Sequence, residues 1–491
     1  MGALEHIYRT SLALLTDLYQ LTMAYGYWKL GRADEQAVFH LEFREPPFGS
    51  GYAIACGLGL AVEFLESFRF DTESLEYLRS LTGTNGSPLL EEAFLDYLGR
   101  LRFSCDVDAI EEGTAVFAHE PLIRVRGPLL QCQLLETPLL NLINFQTLVA
   151  TKAARVCQAA QGDPVIEFGL RRAQGIDGGL AAARAAYVGG CAATSNVLAG
   201  RLFGIPVRGT HAHSWVMSFP DELESFEKYA QVMPHNSILL VDTYDTLAGV
   251  RRAARVGQRM KQRGHRLAGI RLDSGDLAYL SIEARRILDE AGLTDARILA
   301  SGDLDEHVIE SLKRQGAKID MWGVGTKLAT AYDQPALGGV YKLSAIKRRD
   351  GHWRHTIKLS EQAVKINTPG LLRLRRYFRD DHFLADMIYD ELIGVPDQPV
   401  IVDPADPTRR RPIPSGARHQ ELLVPIFRAG RRVYNPPSLQ QAQRRTHRQL
   451  EALHPTIKRF LNPHRYPAGL EKSLHDLKMQ LILQARGMAE V

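Results

Sequence analysis

The residues best suited to chemistry lie between positions 206 and 215, where the sequence reads Pro-Val-Arg-Gly-Thr-His-Ala-His-Ser-Trp. His211 and His213 are two residues apart, so on extended backbone their side chains face the same way. A neutral imidazole can exchange protons and can accept a phosphoryl group. A histidine at a strand end is also commonly just a hydrogen-bonded polar residue, so partners elsewhere in the chain must decide between the two interpretations.

Such partners are present, because polar clusters follow five other segments that have the pattern of buried strands. They occupy residues 167–172, 242–245, 271–276, 301–303 and 323–327. Aspartate, serine and glycine also favour turns and helix caps, so any single cluster has an ordinary explanation. Six clusters in similar positions favour a common site.

The residue types in these clusters suit one kind of ligand. Arginines such as Arg171 and Arg271 pair with phosphate or carboxylate, and Phe168 offers a face to a flat ring. Gly325-Thr326, before a predicted helix, offers N–H groups and a hydroxyl to a phosphate. The acids Asp273, Asp276 and Asp303 are candidates for a divalent metal or sugar hydroxyls. Together they predict a site for a flat acidic ring and a phosphorylated sugar.

The elements that position these clusters alternate between strand and helix from about residue 164 to 343. This alternation requires parallel strands joined by right-handed crossovers. Repeated over this length, it favours an α/β barrel that is closed or nearly closed. A doubly wound open sheet is the alternative, and periodicity alone does not separate the two. In a barrel, all six clusters converge on the edge at the strands' carboxyl ends.

The remaining chain gives the domain prediction. Residues 1–135 mix helices with short antiparallel strands and predict an irregular α+β domain. Residues 136–346 contain the barrel pattern, including a final predicted strand at 338–343. Residues 347–491 predict a C-terminal region that packs on the first two domains.

Composition excludes several classes of protein. The 491 residues are 45% hydrophobic and 24% charged, which is typical of globular chains. No apolar run reaches the length of a membrane span, and residues 1–16 lack a signal-peptide core. The five cysteines have no metal-ligand spacing. We therefore expect reduced thiols, a cytoplasmic location and no membrane partner.

The charge distribution leaves a second function class open. The net charge of +4 does not argue for nucleic acid at this length. Basic residues outnumber acidic ones roughly two to one after residue 401, which raises the hypothesis of a nucleic-acid-binding module. Aromatic residues do not interleave with the basic ones, however, and no binding motif is present. We therefore favour a solvated basic face, or a rim that attracts anionic substrates, and expect no nucleic-acid partner.

Four ordered motifs carry a family resemblance. They are Leu-Thr-Asp-Leu-Tyr-Gln-Leu-Thr-Met at 15–23, Glu-Phe-Gly-Leu-Arg-Arg-Ala-Gln-Gly at 167–175, Gly-Thr-His-Ala-His-Ser at 209–214 and Arg-Leu-Asp-Ser-Gly-Asp at 271–276. Together they resemble the nicotinate phosphoribosyltransferase family over about residues 12–346. The resemblance implies a type II phosphoribosyltransferase fold, an irregular α/β barrel with an N-terminal α+β domain.

The resemblance also implies a reaction, classed among the ligases. Nicotinate, phosphoribosyl pyrophosphate (PRPP), ATP and water would give nicotinate mononucleotide, pyrophosphate, ADP and phosphate, the first step of NAD salvage from nicotinate. The resemblance further implies that ATP hydrolysis is coupled through a phosphohistidine and that the active site lies at a homodimer interface. Mg²⁺ is the implied cofactor; the sequence has no side-chain cluster for it, so it would arrive with PRPP, with Asp273 as a candidate ligand.

Site residues follow from the resemblance position by position. His213 corresponds to the phosphohistidine, with Arg271 and Asp273 as further catalytic residues, while His211 has at most a supporting role. Tyr19 would be donated by the neighbouring subunit to oppose the ring-stacking Phe168. The implied substrate-binding residues are Tyr19, Phe168, Arg171, Ser195, Thr210, Ser301, Gly302, Asp303, Gly323, Gly325 and Thr326.

Two related activities remain as alternatives. The nicotinamide enzyme has an aspartate near Ser195 that accepts the amide N–H, so a serine there favours a carboxylate substrate. Quinolinate phosphoribosyltransferase shares the fold class, but it should lack the His213 context and needs a more basic pocket. An inactive homologue is disfavoured, because every matched position retains a competent side chain.

Overall fold

The computed structural model describes residues 11–362 and 365–488. Its helices are α1 (Leu18–Lys29), α2 (Leu58–Ser67), α3 (Thr72–Ser80), α4 (Glu92–Arg100), α5 (Leu129–Leu134), α6 (Glu136–Ala159), α7 (Gly175–Val188), α8 (Val197–Phe203), α9 (His213–Met217), α10 (Glu222–Val232), α11 (Thr246–Gln262), α12 (Leu277–Glu290), α13 (Glu306–Arg314), α14 (Thr326–Ala329), α15 (Leu439–Ala452) and α16 (Lys472–Ala485). No helix in this part of the chain is both long and apolar enough to cross a bilayer.

The strands belong to two compact units. The first unit comprises the chain up to Thr147, Ala336–Ser438 and the chain from Arg448, and the second comprises Leu148–Pro335 and Leu439–His447. The strands are β1 (Gln36–Phe43), β2 (Ala53–Ile54), β3 (Asp106–Ile110), β4 (Ala115–Val116), β5 (Ile123–Pro128), β6 (Val165–Glu167), β7 (Ala193–Thr194), β8 (Ile238–Leu240), β9 (Gly269–Leu272), β10 (Arg297–Ala300), β11 (Met321–Val324), β12 (Gly339–Lys347), β13 (Trp353–His355), β14 (Leu372–Arg379), β15 (His382–Asp390), β16 (Val400–Asp403), β17 (Asp406–Pro412), β18 (His419–Glu421), β19 (Leu423–Arg428), β20 (Arg431–Arg432) and β21 (Ala468–Glu471).

The second unit is built around a parallel sheet with the strand order β7-β6-β11-β10-β9-β8. The last strand of this unit in the chain, β11, therefore pairs with the first, β6. Helices connect consecutive strands, as in β6-α7-β7 and β9-α12-β10. A sheet whose last strand returns to its first is a barrel, not a doubly wound sheet. The predicted barrel is confirmed.

The barrel is incomplete between Val207 and β8, an opening that we call the seam. The predicted strand at 205–209 is wrong, because only one bridge forms there, between Thr194 and Val207. Pro206 has no N–H to extend the ladder. Within the described residues this segment forms no ladder with β8. Instead, the Nε2 atom of His211 accepts a hydrogen bond from the Leu240 N–H at 3.1 Å, so a side chain bridges the seam.

The first unit is mainly antiparallel. One sheet has the order β13-β12-β1-β5-β3-β19-β20, and another has the order β17-β16-β21-β15-β14-β18. The strand that we predicted at 338–343 as part of the barrel range pairs instead with β1, in the antiparallel sheet. Its assignment to the barrel was wrong because the period of a strand does not reveal its partner.

The predicted domain ranges 1–135, 136–346 and 347–491 stay predictions. The two compact units divide the chain at other positions. The division between the two units falls inside helix α6, between Thr147 and Leu148, and Leu439–His447 joins the second unit although it lies in the predicted C-terminal region. The expectation about a signal segment rests partly on residues 1–10, which lie outside the described residues.

A buried ion cluster ties α6 to α13 in the second unit. The Glu306 carboxylate accepts from the Arg155 Nε and lies against the Lys152 Nζ, each at 2.7 Å. All three side chains are buried, and Lys152 also pairs with Asp333. Buried charges are tolerated only when they are paired, so each member of the cluster depends on the others.

We expect Glu306→Gln to lower the free energy of unfolding by about 3 kcal/mol, because it leaves two buried cations short of a counter-charge. Urea unfolding followed by circular dichroism measures the change. Glu310→Gln is the matched control, since Glu310 pairs at 2.9 Å with the exposed Arg314 in the same helix and should cost under about 1 kcal/mol. Equal losses in the two variants would contradict the role of burial.

Candidate functional site

A cleft of about 300 Å³ lies at the carboxyl ends of the barrel strands. Loops after β6, β9, β10 and β11 contribute its walls, as expected for a parallel barrel. It is lined by Phe168, Arg171, Arg172, Arg271, Asp273, Ser301, Gly302, Asp303, Gly323, Gly325 and Thr326. All of these except Arg172 are site residues that the sequence predicted, and their roles toward a substrate stay predictions.

Arg271 bonds to residues on three loops: those after β9 and β10, and the segment that contains Thr210. Its Nε donates to the Ser301 Oγ at 2.7 Å, one Nη to the Thr210 Oγ1 at 3.1 Å and the other to the Asp273 Oδ1 at 2.6 Å. Ser301 also donates to the same oxygen of Asp273, at 2.5 Å. Burial alone would raise the pKa of Asp273, but hydrogen bonds from Ser301 and Arg271 and the arginine's charge lower it. The guanidinium is thus fixed with two N–H groups left for a ligand.

Phe168 forms one wall of the cleft, and close contacts hold it there. The Cζ atom of Arg271 lies 5.6 Å from the centre of its ring. A Cβ atom at Gly323 would lie 2.6 Å from two ring carbons, so only glycine leaves room for this position of the ring. Gly302 has φ +109°, and a Cβ there would lie 2.7 Å from the Asp273 carbonyl oxygen. Both glycines are therefore required by geometry.

Glu167 is a site component that the sequence analysis named only within a cluster. Its buried carboxylate accepts hydrogen bonds from the Gly169 N–H and, at 2.6 Å, from the Thr194 hydroxyl. Burial raises the pKa of this carboxyl, while both hydrogen bonds act in the opposite direction. The side chain links the turn after Phe168 to the end of β7. An acid at the last position of a buried strand was the signal in the sequence.

His213 is the first residue of α9, and its side chain is partly exposed. Its Nε2 lies 3.3 Å from the Oδ1 of Asp242, whose side chain is buried. The other oxygen of Asp242 accepts from the Asp273 N–H at 2.9 Å and from the Ser274 hydroxyl at 2.7 Å. A carboxylate at Nε2 favours the tautomer whose Nδ1 is unprotonated. Sequence reasoning placed Asp242 at a strand end but did not assign it this role.

His211 has a different environment. It is buried, its Nε2 accepts from the Leu240 N–H, and its ring centre lies 4.6 Å from that of Tyr229. Burial is the main cause that lowers its pKa to about 4. His211 is therefore neutral near pH 7 and bridges the seam. The two histidines contact residues two apart, Leu240 and Asp242, so both lie against the same neighbouring segment although His213 begins a helix.

Four predicted residues do not line the cleft: His213, described above, and Thr210, Ser195 and Tyr19. Thr210 reaches it through its hydrogen bond to Arg271. Ser195 follows β7, and its N–H donates to the Glu167 carbonyl at 2.9 Å. Tyr19 belongs to α1 in the first unit, where its side chain is exposed.

The residues of the cleft suit a metal that arrives with a substrate. No group of three or more His, Cys, Asp or Glu side chains in the described ranges is arranged to hold a cation. The Oδ1 of Asp273 already accepts from Arg271 and Ser301, so only the Oδ2 of this carboxylate lacks a hydrogen bond from the described residues. Mg²⁺ typically binds through one or two carboxylates plus substrate phosphates and water. Asp273 and Asp303 match that requirement, whereas a resident metal cage would need more ligands.

The buried His211 predicts a pH-dependent stability. The unfolded chain binds a proton at the ordinary pKa of about 6.5, whereas the folded chain does so only near pH 4. The stabilisation is therefore complete above pH 6.5 and is lost as the pH falls toward 4, by about 2 kcal/mol at pH 5. His211→Gln keeps an acceptor for the Leu240 N–H but does not titrate. We therefore expect its free energy of unfolding, measured in urea, to differ less between pH 7.5 and pH 5.0 than that of the wild type. Exposed His235→Gln is the control, and an unchanged pH dependence in His211→Gln would contradict the prediction.

Comparison with known proteins matches three family models along the chain. Residues 14–144 match the nicotinate phosphoribosyltransferase N-terminal domain, residues 164–358 match the nicotinate phosphoribosyltransferase family, and residues 373–478 match the corresponding C-terminal domain. The nicotinate phosphoribosyltransferase of Bacillus subtilis is 44% identical over 487 residues, covering 98% of this chain and 97% of that protein. The human protein of the same name is 35% identical over 526 residues, covering 94% and 95%.

Solved structures agree with these matches. The crystal structure of human nicotinic acid phosphoribosyltransferase superposes with a TM-score of 0.81 at 33% identity, covering 95% of this chain and all of that chain. Nicotinate-nucleotide pyrophosphorylase from Pyrococcus furiosus has a TM-score of 0.69 at 19% identity, over 92% of this chain and 97% of that one, which is a likeness of fold. The motifs, the barrel and the near full-length relatives therefore agree, and the chain belongs to the nicotinate phosphoribosyltransferase family.

Proposed function

We propose that this protein transfers the phosphoribosyl group of PRPP to the ring nitrogen of nicotinate, giving nicotinate mononucleotide and pyrophosphate in NAD salvage. The observation that carries the proposal is the cleft of this chain. In it, a fixed arginine, an ionised aspartate and an aromatic wall meet at the carboxyl ends of the barrel strands. The family assignment supports the substrates. A cytoplasmic location and the absence of a nucleic-acid partner stay predictions.

The lining residues divide between the two substrates. Phe168 would stack on the nicotinate ring, and Arg171 or Arg271 would pair with its carboxylate or with PRPP phosphates. The backbone at Gly302-Asp303 and at residues 323–326 would cradle the ribose phosphate. Gly302 and Gly323 suit this role, since neither has room for a side chain.

The chemistry follows from charge. The bond from the ribose to pyrophosphate loosens before the ring nitrogen bonds firmly, so the sugar becomes cation-like and the leaving group gains negative charge. Arg271 is already oriented by its three partners and needs no reorganisation to stabilise that charge. The ionised Asp273 lies beside the position where the sugar cation would develop. Mg²⁺ bound with PRPP would neutralise further pyrophosphate charge, and the nicotinate nitrogen needs no general base.

ATP coupling through His213 is the second part of the proposal. The unprotonated Nδ1 of His213 would attack the γ-phosphorus of ATP, the bond to ADP would break, and water would later hydrolyse the phosphohistidine to phosphate. Asp242 supports this role because it orients Nε2 and would stabilise the positive ring. It also accepts from the Asp273 N–H, so a negative phosphoryl group on His213 would act on the loop that holds Asp273.

A homodimer is also part of the proposal, with Tyr19 reaching the partner's cleft. Tyr19 is one of a group of large apolar residues that are exposed near the start of the described chain: Leu12, Leu15, Leu18, Tyr19 and Met23. Such a group is typical of a surface that another chain covers. Gel filtration with light scattering tests the oligomeric state.

We expect ATP to stimulate nicotinate mononucleotide formation in the wild type but not in His213→Ala. Product formation from nicotinate, PRPP and Mg²⁺ is measured with and without ATP, and acid-labile phosphate from γ-labelled ATP is measured on the protein. Asp242→Asn should reduce labelling roughly tenfold or more, because the tautomer is no longer specified. His352→Ala is the control, because His352 is exposed and lines neither the cleft nor the other cavity of the barrel. Full stimulation in His213→Ala would keep the substrate assignment and move the phosphorylated residue elsewhere.

Ser195 provides a test of substrate choice. Ser195 does not line the cleft, and its role toward the substrate rests on the family resemblance. On that role, we expect Ser195→Asp to lower kcat/KM for nicotinate by roughly tenfold to a hundredfold, because the aspartate would repel the substrate carboxylate. Ser195→Asn has a similar size without the charge and should lose much less. Equal losses in the two variants would mean that Ser195 acts through shape and not through charge.

A further inference from the structure

A second cavity lies at the opposite end of the same barrel. Its volume is about 700 Å³, and it is bounded by the first residues of β8, β10 and β11, namely Ile238, Arg297 and Met321. Strand pairing places Ile238 and Arg297 on either side of Gly269, so they lie at one level of the sheet. Barrel enzymes place their chemistry at the other end of the strands, so the proposed reaction does not use this cavity.

The lining of this cavity is strongly basic. Its cationic or protonatable members are Arg208, His235, His265, Arg266 and Arg297. The one acid in the lining is Asp295, whose carboxylate lies 3.7 Å from the Arg266 guanidinium, with both side chains exposed. The Arg208 guanidinium donates to the carbonyl of Val207 at 3.0 Å. Within the described part of the chain, no carboxylate lies within ion-pair distance of Arg208 or Arg297, so two guanidinium groups remain available to an anion.

Part of the lining is apolar, and this apolar surface narrows the class of anion that the cavity would bind. Its apolar members are Pro234, Ile238, Leu267, Ala268 and Met321. Inorganic phosphate would use the arginines and leave this surface unfilled. A nucleotide combines phosphates for the arginines with a flat ring for the apolar surface. The volume lies within the range of small-molecule sites.

We propose that the cavity at the amino ends of the barrel strands is a second nucleotide-binding site, separate from the catalytic cleft. Arg208 and Arg297 bind the phosphates, and the base packs on Ile238, Leu267 and Met321. Arg208 belongs to the segment that runs along the seam to His211 and His213. The proposal does not depend on nicotinate being the substrate of the cleft.

The test is isothermal titration with ADP on the full-length chain carrying Arg271→Ala, which impairs the cleft. We expect saturable binding with one ADP per chain at low salt. Adding Arg208→Ala and Arg297→Ala should weaken it tenfold or more, because each guanidinium makes charge-assisted hydrogen bonds to phosphate. The charge-matched control carries Arg251→Ala and Arg255→Ala, since both are exposed residues of α11 that do not line the cavity. Circular dichroism confirms that each variant is folded.

Two further ligands show whether the phosphates alone, or the nucleoside alone, account for the binding of ADP. Tripolyphosphate should bind at least tenfold more weakly than ADP, and adenosine should not bind measurably. Hydrogen exchange with ADP should show protection at residues 234–238 and 264–268. The proposal is overturned if the double arginine variant binds ADP as tightly as its parent, if tripolyphosphate matches ADP, or if protection appears only at the cleft. None of these assays uses nicotinate or PRPP, so their failure would not bear on the catalytic proposal.

Discussion

The hydrogen bonds of Arg271 are the constraint on which the site depends. One guanidinium bonds to Thr210, Asp273 and Ser301, which lie on three different loops of the barrel. Because the guanidinium is planar, its partners can be satisfied together only when the three strand ends lie in one arrangement. The same bonds keep Asp273 ionised and aim the remaining N–H groups into the cleft. The geometry of the site and the relative positions of the strands are therefore maintained by the same interactions.

The seam is where the barrel departs from a regular sheet. A continuous ladder between Val207 and β8 would hold this segment by backbone hydrogen bonds alone. Instead, His211 bonds to the Leu240 N–H, and His213 lies against Asp242 two residues further on. Side chains replace backbone partners, so the backbone after residue 207 is free to turn into α9 with His213 at its first position. An irregularity in the sheet thus places His213 beside Asp242, and Asp242 connects this histidine to the Asp273 loop of the cleft.

The two ends of the barrel differ in how their charges are used. At the carboxyl ends, Arg271 is paired with Asp273, and the surrounding turn is held by the buried Glu167. At the amino ends, Arg208 and Arg297 have no carboxylate within reach in the described chain. A paired arginine holds its N–H groups in a fixed orientation, which favours catalysis. An arginine without a carboxylate partner keeps its full attraction for an anion. This contrast separates a reaction site from a binding site within one sheet.

The sequence by itself determined most of the barrel and the identity of its cleft. Period and turn residues placed β9, β10 and β11 to within about two residues, and parallel pairing required Phe168, Arg271, Ser301 and Gly323 to converge. Only the tertiary structure decided three things: that the segment at 205–209 leaves a seam, that β12 pairs with β1, and that Asp242 and Glu167 support the site. Each depends on a partner some 27 to 300 residues away in the chain, such as Thr194 for Glu167. Periodicity records which face of an element is buried, but hydrogen-bond partners depend on register between elements, which no local pattern contains.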